Sequence, residues 1–268
     1  MPAKPPTPPA SSDSKAYTDK KAFFKRVLTL YGRKPVLEAL RDTRLQHYRL
    51  HISERNRPAA ILKEITALAE SRHIKIQHHS AAELSRISKN AKQDQGVALD
   101  VHCPHFQDLA TFLSQPSRGN RVLALDGVTN PQNLGMIIRS VAASHTAGLL
   151  IPRKGCAALG PLVIKASAGT LFSAPIVQVD NLPQALREAK QKGYLIATME
   201  GDATESALTY STSTPTIFVL GNESEGVSND IHQMADRTLS IPMQRGVESL
   251  NVAVAASLIA FSGMVDRQ

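Results

Sequence analysis

From Arg121 onward the chain alternates near-continuous apolar runs, "VLALDGV", "GLLIP", "APIVQV", "YLIATM", "TIFVLG" and "RTLSIPM", with helical segments such as "NLGMIIRSVAASH" and "LPQALREAKQKG". A strand that is apolar on both faces has to be buried on both, so this rhythm predicts a parallel sheet covered by helices on each side. Residues 121–268 then form an α/β domain of about 150 residues. In such sheets ligands bind outside the carboxyl ends of the strands. The polar loops after "VLALDGV", "TIFVLG" and "RTLSIPM" are therefore the places to look for chemistry.

The N-terminal part reads differently. "YGRKPVLEALRD" is a turn and a short helix, and "HYRLHIS" alternates as a half-buried strand does. "PAAILKEITALAESRH" opens with Pro58 at an N1-like position and repeats Ile61, Ile65, Leu68 and Ala69 on one helical face. "IKIQHH" is then a strand, "AAELSRIS" a helix and "QGVALDVH" a strand, so residues 29–103 form a small alternating α/β unit. Residues 104–120 read as a linker with a short helix between Pro104 and Pro116, closed by a Pro, Ser, Gly and Asn cluster. Residues 1–28 read as a flexible tail, because the Pro, Ser and Ala content of "MPAKPPTPPASSDSK" cannot bury enough surface to fold.

Charge separates the two units as well. Residues 1–75 hold 16 Lys+Arg against 7 Asp+Glu, whereas the remainder holds 15 against 16. A basic N-terminal unit favours a polyanionic partner, since each cation that meets a phosphate releases condensed counterions. A merely soluble basic surface is the plainer account. No stretch approaches the ~18 apolar residues of a membrane span, and the N-terminus has no apolar h-region, so a soluble, cytoplasmic chain is expected. The two cysteines, Cys103 and Cys156, are too few and too far apart for a disulfide or zinc framework. "HCPH" at residues 102–105 lacks four ligands at a recognisable spacing, and no metal is expected.

Three polar stretches follow strand ends: "NPQNLGMIIRS" (130–140), "GNESEGVS" (221–228) and "IPMQRGVESLN" (241–251). Each has a structural account. Asn133 suits a helix cap, and Arg139, two turns on, suits a solvated surface. The glycines of "GNESEGVS" permit a tight turn, Ser228 suits the cap of the next helix, and Glu223 is ordinary loop polarity. In "VESLNVAVAASLIAF" capping explains one of the polar residues Glu248, Ser249 and Asn251 and leaves the others without a role. No G-x-G-x-x-G follows the first strand of the domain, "GNESEGVS" lacks a P-loop lysine, and Ser249 sits in no G-x-S-x-G elbow.

Taken in order, "NLGMIIR", "GNESEG" and "IPMQRGVESLNVAVA" resemble the three signature motifs of the SpoU/TrmH family of RNA 2′-O-ribose methyltransferases, in the SPOUT superfamily. The resemblance runs from about Val122 to the C-terminus. The N-terminal unit with "YGRKPVLEAL" looks like the L30e-related substrate-binding extension that many members carry. The resemblance implies a parallel-sheet domain with a C-terminal trefoil knot, a homodimer, structured RNA (rRNA or tRNA) as partner and S-adenosylmethionine as cofactor. By position, Gly221, Ile241 and Leu250 match cofactor-contacting residues, and Asn133, Arg139, Glu223, Ser249 and Asn251 match the polar active-site positions. One departure is Arg245, where members commonly place Gly; Gly246 follows it.

On this reading the chain methylates a ribose 2′-hydroxyl of tRNA or rRNA. Arg139 resembles the residue often proposed as base, yet a guanidinium is essentially always protonated. It suits a phosphate or a developing 2′-oxyanion instead, with water or a phosphate oxygen taking the proton. Glu223 then holds its loop or pairs with Arg139. A non-catalytic RNA-binding relative is the alternative, and an unrelated small-molecule α/β enzyme is opposed by the basic N-terminal unit.

Overall fold

Two β-sheets organise the chain in the computed structural model, which describes residues 23–115 and 120–262. Residues 1–22 of the expected tail, residues 116–119 of the expected linker and residues 263–268 lie outside the described residues. The first sheet contains β1 (Val27–Tyr31), β2 (Gln46–Ser53), β3 (Lys75–His79) and β4 (Val97–His102), in the order β1-β4-β2-β3. β4 runs antiparallel to β1 and β2, and β2 parallel to β3.

The helices α1 (Arg33–Arg41) and α2 (Ala60–Ser71) bury Val36, Leu40, Leu62 and Ile65 against Leu30, Leu50, Leu99 and Val101 of the sheet. α2 starts at Ala60 with Ala59 as its cap residue, so Pro58 stands just outside the helix and not at its first position. α3 (Ala81–Ser88) begins with a reciprocal capping box, in which Ser80 accepts from the Glu83 amide and Glu83 accepts from the Ser80 amide. Structure begins inside the stretch read as tail, since β1 starts at Val27 and pairs with His102.

The second sheet has eight strands, all parallel to their neighbours. They are β5 (Gln107–Asp108), β6 (Arg121–Leu125), β7 (Gly148–Pro152), β8 (Ile176–Val179), β9 (Leu195–Met199), β10 (Glu205–Ser206), β11 (Thr216–Leu220) and β12 (Arg237–Ser240). Their order is β10-β12-β9-β11-β6-β7-β8-β5. Around them lie α4 (Leu109–Ser114), α5 (Pro131–Ala143), α6 (Pro161–Ala166), α7 (Leu182–Gln191), α8 (Asn229–His232) and α9 (Val252–Ser262).

The apolar strands alternate their side chains between two cores, as a period of two requires. Leu123, Leu125, Phe218 and Leu220 meet Leu134, Ile137 and Ile138 of α5 and Ala253, Ala256 and Ile259 of α9. Val122, Ala124, Ile217 and Val219 face the other way, onto Leu182, Ala185, Leu186 and Ala189 of α7. Both faces are thus covered. The chain steps outward from β6 through β7 to β8, then crosses to β9, and β11 returns into the gap between β9 and β6. The order reverses at the β6–β11 pair, and the carboxyl ends of those two strands mark the switch point where such sheets bind ligands.

The two-residue strands β5 and β10 and the short helix α6 carry too little pattern to be read from the sequence. β5 and α4 come from the stretch read as a linker and form one edge of the large sheet. No helix among the described residues is long and apolar enough to cross a membrane.

α5 and α6 pack closely at Gly135. A Cβ there would overlap Ala166 Cβ and stand 2.8 Å from the Val163 carbonyl oxygen. In an open helix Gly→Ala gains up to ~1 kcal/mol, but overpacking against backbone costs about 1–3 kcal/mol. Gly135→Ala is therefore expected to destabilise the protein, read as a lower urea midpoint with an unchanged slope; a raised midpoint would show that α6 yields freely.

Candidate active site

The loops leaving β6 and β11 are tied together by side chains that the sequence did not single out. Asp126, just after β6, accepts a hydrogen bond at Oδ2 from the Ser228 amide at 2.8 Å. Asn222, just after β11, donates from Nδ2 to the Gly127 carbonyl at 2.8 Å and accepts from the Ser224 amide at 2.8 Å. Asn222 and Gly226 exchange two backbone hydrogen bonds of 2.9 Å, closing the turn. A Cβ on Gly221 would fall on the Gly226 carbonyl and the Val227 amide, so only glycine lets this loop fold back on itself. Their signal in the sequence is an Asp or Asn with a glycine directly after an apolar strand, a pattern that marks any tight turn.

The helix that follows β6 is capped by Asn130 and not by Asn133. The Asn130 side chain accepts from the Gln132 amide at 2.8 Å and the Asn133 amide at 3.4 Å, and Pro131 fills the first helical position. Asn133 is thereby freed. Its side chain is 7% exposed, and its Nδ2 donates to Glu223 Oε1 at 2.6 Å.

The third stretch brings Asn251 to the same place. Its backbone carbonyl accepts from Val254 and Ala255, and its Oδ1 accepts from the Ala253 amide at 2.9 Å, so Asn251 is the cap of α9. Its Nδ2 donates to Asn133 Oδ1 at 3.1 Å and to Glu223 Oε1 at 3.2 Å. One side chain thus caps a helix and closes a cluster. The cluster joins residues 90 and 28 positions apart around a single carboxylate oxygen, and bonds to a charged acceptor are the stronger kind.

The other expected site residues stand around it. Ser249, exposed, lies two residues before Asn251 and makes no hydrogen bond among the described residues. Gly221 shares a loop with Glu223, Ile241 follows β12, and Leu250 precedes Asn251; all three are half-buried. Arg139 is exposed on α5, six residues beyond Asn133, with no hydrogen bond or ion pair among the described residues. Within one chain it does not pair with Glu223, whose partners are the two asparagines. Residues 241–250 make one backbone–backbone hydrogen bond, from the Val247 amide to the Gln244 carbonyl. The remaining backbone groups of that loop have no backbone partner among the described residues. Arg245 adopts φ +59 in this loop, a left-handed conformation that suits glycine, and Gly246 follows at φ +72.

Burial pushes the Cys156 thiol up, with Asp126 adding to the effect, so no thiolate nucleophile stands beside the β6 loop. Among the described residues no group of three or more His, Cys, Asp or Glu is placed to hold a metal ion.

Comparison with known proteins gives a consistent picture. The profile of the SpoU rRNA Methylase family matches residues 120–261, and that of the RNA 2′-O ribose methyltransferase substrate-binding family matches residues 29–107. A Staphylococcus saprophyticus protein named for the TrmH family of tRNA/rRNA methyltransferases is 32% identical over 203 residues, 75% of this chain and 81% of that one. An uncharacterized tRNA/rRNA methyltransferase of Mycobacterium ulcerans is 31% identical over 260 residues, 95% of this chain and 83% of that one. Among solved structures, the SpoU methyltransferase AviRb from Streptomyces viridochromogenes in complex with AdoMet superposes with a TM-score of 0.60 at 23% identity, covering 95% of this chain and 94% of that one. An AdoMet-bound rRNA methyltransferase from Sinorhizobium meliloti gives 0.59 at 22% identity, covering 96% and 92%.

The double role of Asn251 separates two substitutions. Asn251→Ala removes the cap and both cluster bonds, and the cap alone is worth about 1 kcal/mol. Asn251→Asp keeps an oxygen to cap α9 but sets a second carboxylate where Nδ2 now meets Glu223. Like charges there make Asn251→Asp less stable than wild type at pH 7, with the deficit shrinking as acid protonates either group. Chemical unfolding at pH 7 and at about pH 4 reads this directly, and a deficit independent of pH would mean the two side chains do not meet.

Proposed function

The chain belongs to the SpoU/TrmH family of RNA methyltransferases, and from that premise we propose that it transfers a methyl group from S-adenosylmethionine to a ribose 2′-hydroxyl of tRNA or rRNA in the cytoplasm. The observation that carries this reading is the Asn133–Glu223–Asn251 cluster, assembled from three distant loops at the carboxyl ends of β6, β11 and β12. Residues 29–103 serve as the RNA substrate-binding domain and residues 121–268 as the methyltransferase domain. The implied C-terminal trefoil knot belongs to the proposal, supported by the insertion of β11 between β9 and β6 and the return of α9 onto α5.

The residues present suit the cofactor. Ile241 and Leu250 bound a loop with one backbone–backbone hydrogen bond among the described residues, and Gly221 permits close approach of backbone, as recognition through backbone requires. When bound, S-adenosylmethionine supplies an electrophilic methyl group on a sulfonium. The protein's task is to orient a 2′-hydroxyl and to stabilise the charge that develops as its proton leaves. Glu223 fixes the two asparagines, which orient the nucleotide, and the free hydroxyl of Ser249 adds a donor beside them. Arg139 stays protonated, holds the adjacent phosphate and stabilises the developing oxyanion, while water or a phosphate oxygen accepts the proton.

A second copy completes the site. Met136, Leu208, Val254, Leu258 and Phe261 are 38–44% exposed. Leu208 and the three α9 residues line a groove of about 730 Å³. A 2.7 Å hydrogen bond between Ser140 and Ser257 joins α5 to α9 alongside this apolar surface. A homodimer formed there would set the exposed Arg139 of α5 near the interface, and Glu223 of the same chain is engaged by Asn133 and Asn251 instead.

Four measurements test the proposal. Isothermal titration with S-adenosylmethionine is expected to give saturable binding, and nucleoside mass spectrometry of tRNA and rRNA treated with the protein a 2′-O-methylated residue. Binding without turnover identifies a non-catalytic relative instead. Arg139→Ala is expected to lower turnover by about a hundredfold or more, in the range for losing one oxyanion donor, with cofactor affinity unchanged; turnover within twofold of wild type sinks its role. Leu258→Asp is expected to give a monomer by light scattering that turns over poorly, and a persisting dimer would place the interface elsewhere.

A further inference from the structure

The chain has seven Phe, five Tyr and no Trp, yet three of those aromatic rings gather at one end of the small sheet, where β1 and β2 start and β4 finishes. Phe23 stacks on His102 at 5.2 Å with 5° between the planes, and lies 4.8 Å from Tyr48. Phe24 stands edge-on to Tyr48 at 6.1 Å and is 41% exposed. A solvent-facing phenylalanine on a ready-made ring cluster is a surface on which a further planar group can stack.

Beside the rings lies a cation with only neutral partners. The Arg49 guanidinium sits 4.8 Å over the Tyr48 ring, donates to Tyr48 Oη at 2.8 Å and to Gln77 Oε1 at 3.1 Å, and its buried Nε has no partner among the described residues. A partly buried charge without a counter-charge is unfavourable until an anion joins it. Nearby carboxylates do not fill that place: Asp100 is held by Thr29 and His51, and Asp108 by Lys25. Arg26, exposed and two residues after Phe24, adds a second cation. The floor is firm, because Thr29, Asp100, His51 and His79 form a hydrogen-bonded chain of 2.7, 3.0 and 2.9 Å across all four strands.

We propose that this ring-and-arginine face binds unpaired RNA nucleotides, with a base stacked on Phe24 and Tyr48 and its phosphates met by Arg49 and Arg26. The inference rests on the RNA-methyltransferase reading and adds the state of the RNA: bases must be open to stack, so the face selects single strands or loops over continuous duplex. A polyanion fits the basic balance of residues 1–75 better than a protein surface does.

The test uses the full chain and fluorescence anisotropy with labelled oligouridylate and oligoadenylate of about 12 nucleotides, and with a duplex of the same length. Phe24→Ala, an exposed position that leaves the fold intact, is expected to weaken single-strand binding roughly tenfold with the salt dependence unchanged. Arg49→Gln is expected to weaken it and to lower the salt slope by about one. Duplex affinity should hardly move with Phe24→Ala. Unchanged single-strand affinity in either variant overturns the proposal, and so does an equal loss on duplex, which would indicate a general electrostatic surface. Methyl transfer by the wild-type protein, followed in parallel, reports on the parent reading: transfer alongside unchanged Phe24→Ala affinity rejects only the face proposed here.

Discussion

A strand that is apolar on both faces leaves no room for chemistry except at its ends. The strands β6, β7, β9 and β11 are such strands, and burial of both their faces forces α5 and α9 onto one side and α7 onto the other. What is polar and conformationally special is thereby pushed into the loops beyond the sheet. The reversal of strand order at β6–β11 opens a crevice between two of those loops, and the cluster forms there. The position of the site is thus a by-product of how the sheet is covered.

Holding that position takes more than burial. Backbone runs against backbone at Gly221, side-chain amides of Asn222 and Asn130 occupy otherwise unsatisfied backbone groups, and Glu223 gathers donors from two other segments. Polar groups in such a network are stable only when nearly all of them are paired. The loop of residues 241–250 is the contrast. It has little backbone pairing of its own and contains the left-handed Arg245, so its shape depends on what it meets. Such unusual backbone conformations are often found where a ligand binds.

Much of the fold was legible in the sequence because burial imposes periodicity. The six apolar runs are the inner strands of the large sheet, and "AAELSRIS" is the helix α3. What could not be read was decided by tertiary contact. The cap of α5 is an exception: Asn130 and Asn133 are equally good caps by residue type, and Pro131, a local signal, gives the role to the first. The polar residues before the last helix divided by tertiary contact. Asn251 is the cap, while Ser249 and Glu248 make no side-chain hydrogen bond among the described residues. The three motifs named Asn133, Glu223 and Asn251 as one site, but only the folded chain shows them touching and Arg139 standing apart.

The shared use of Asn251 has a thermodynamic consequence. Its Oδ1 stabilises the first turn of α9 while its Nδ2 belongs to the cluster, so the two ends of one amide group connect the helix start to the site. Any ligand that draws on the cluster changes the free energy of the helix end by an amount that the helix end must return to the ligand. Such linkage is reciprocal by necessity. A contact that changes the stability of the α9 start from outside therefore changes, by an equal amount and with the same sign, how well the cluster holds any ligand coupled to it.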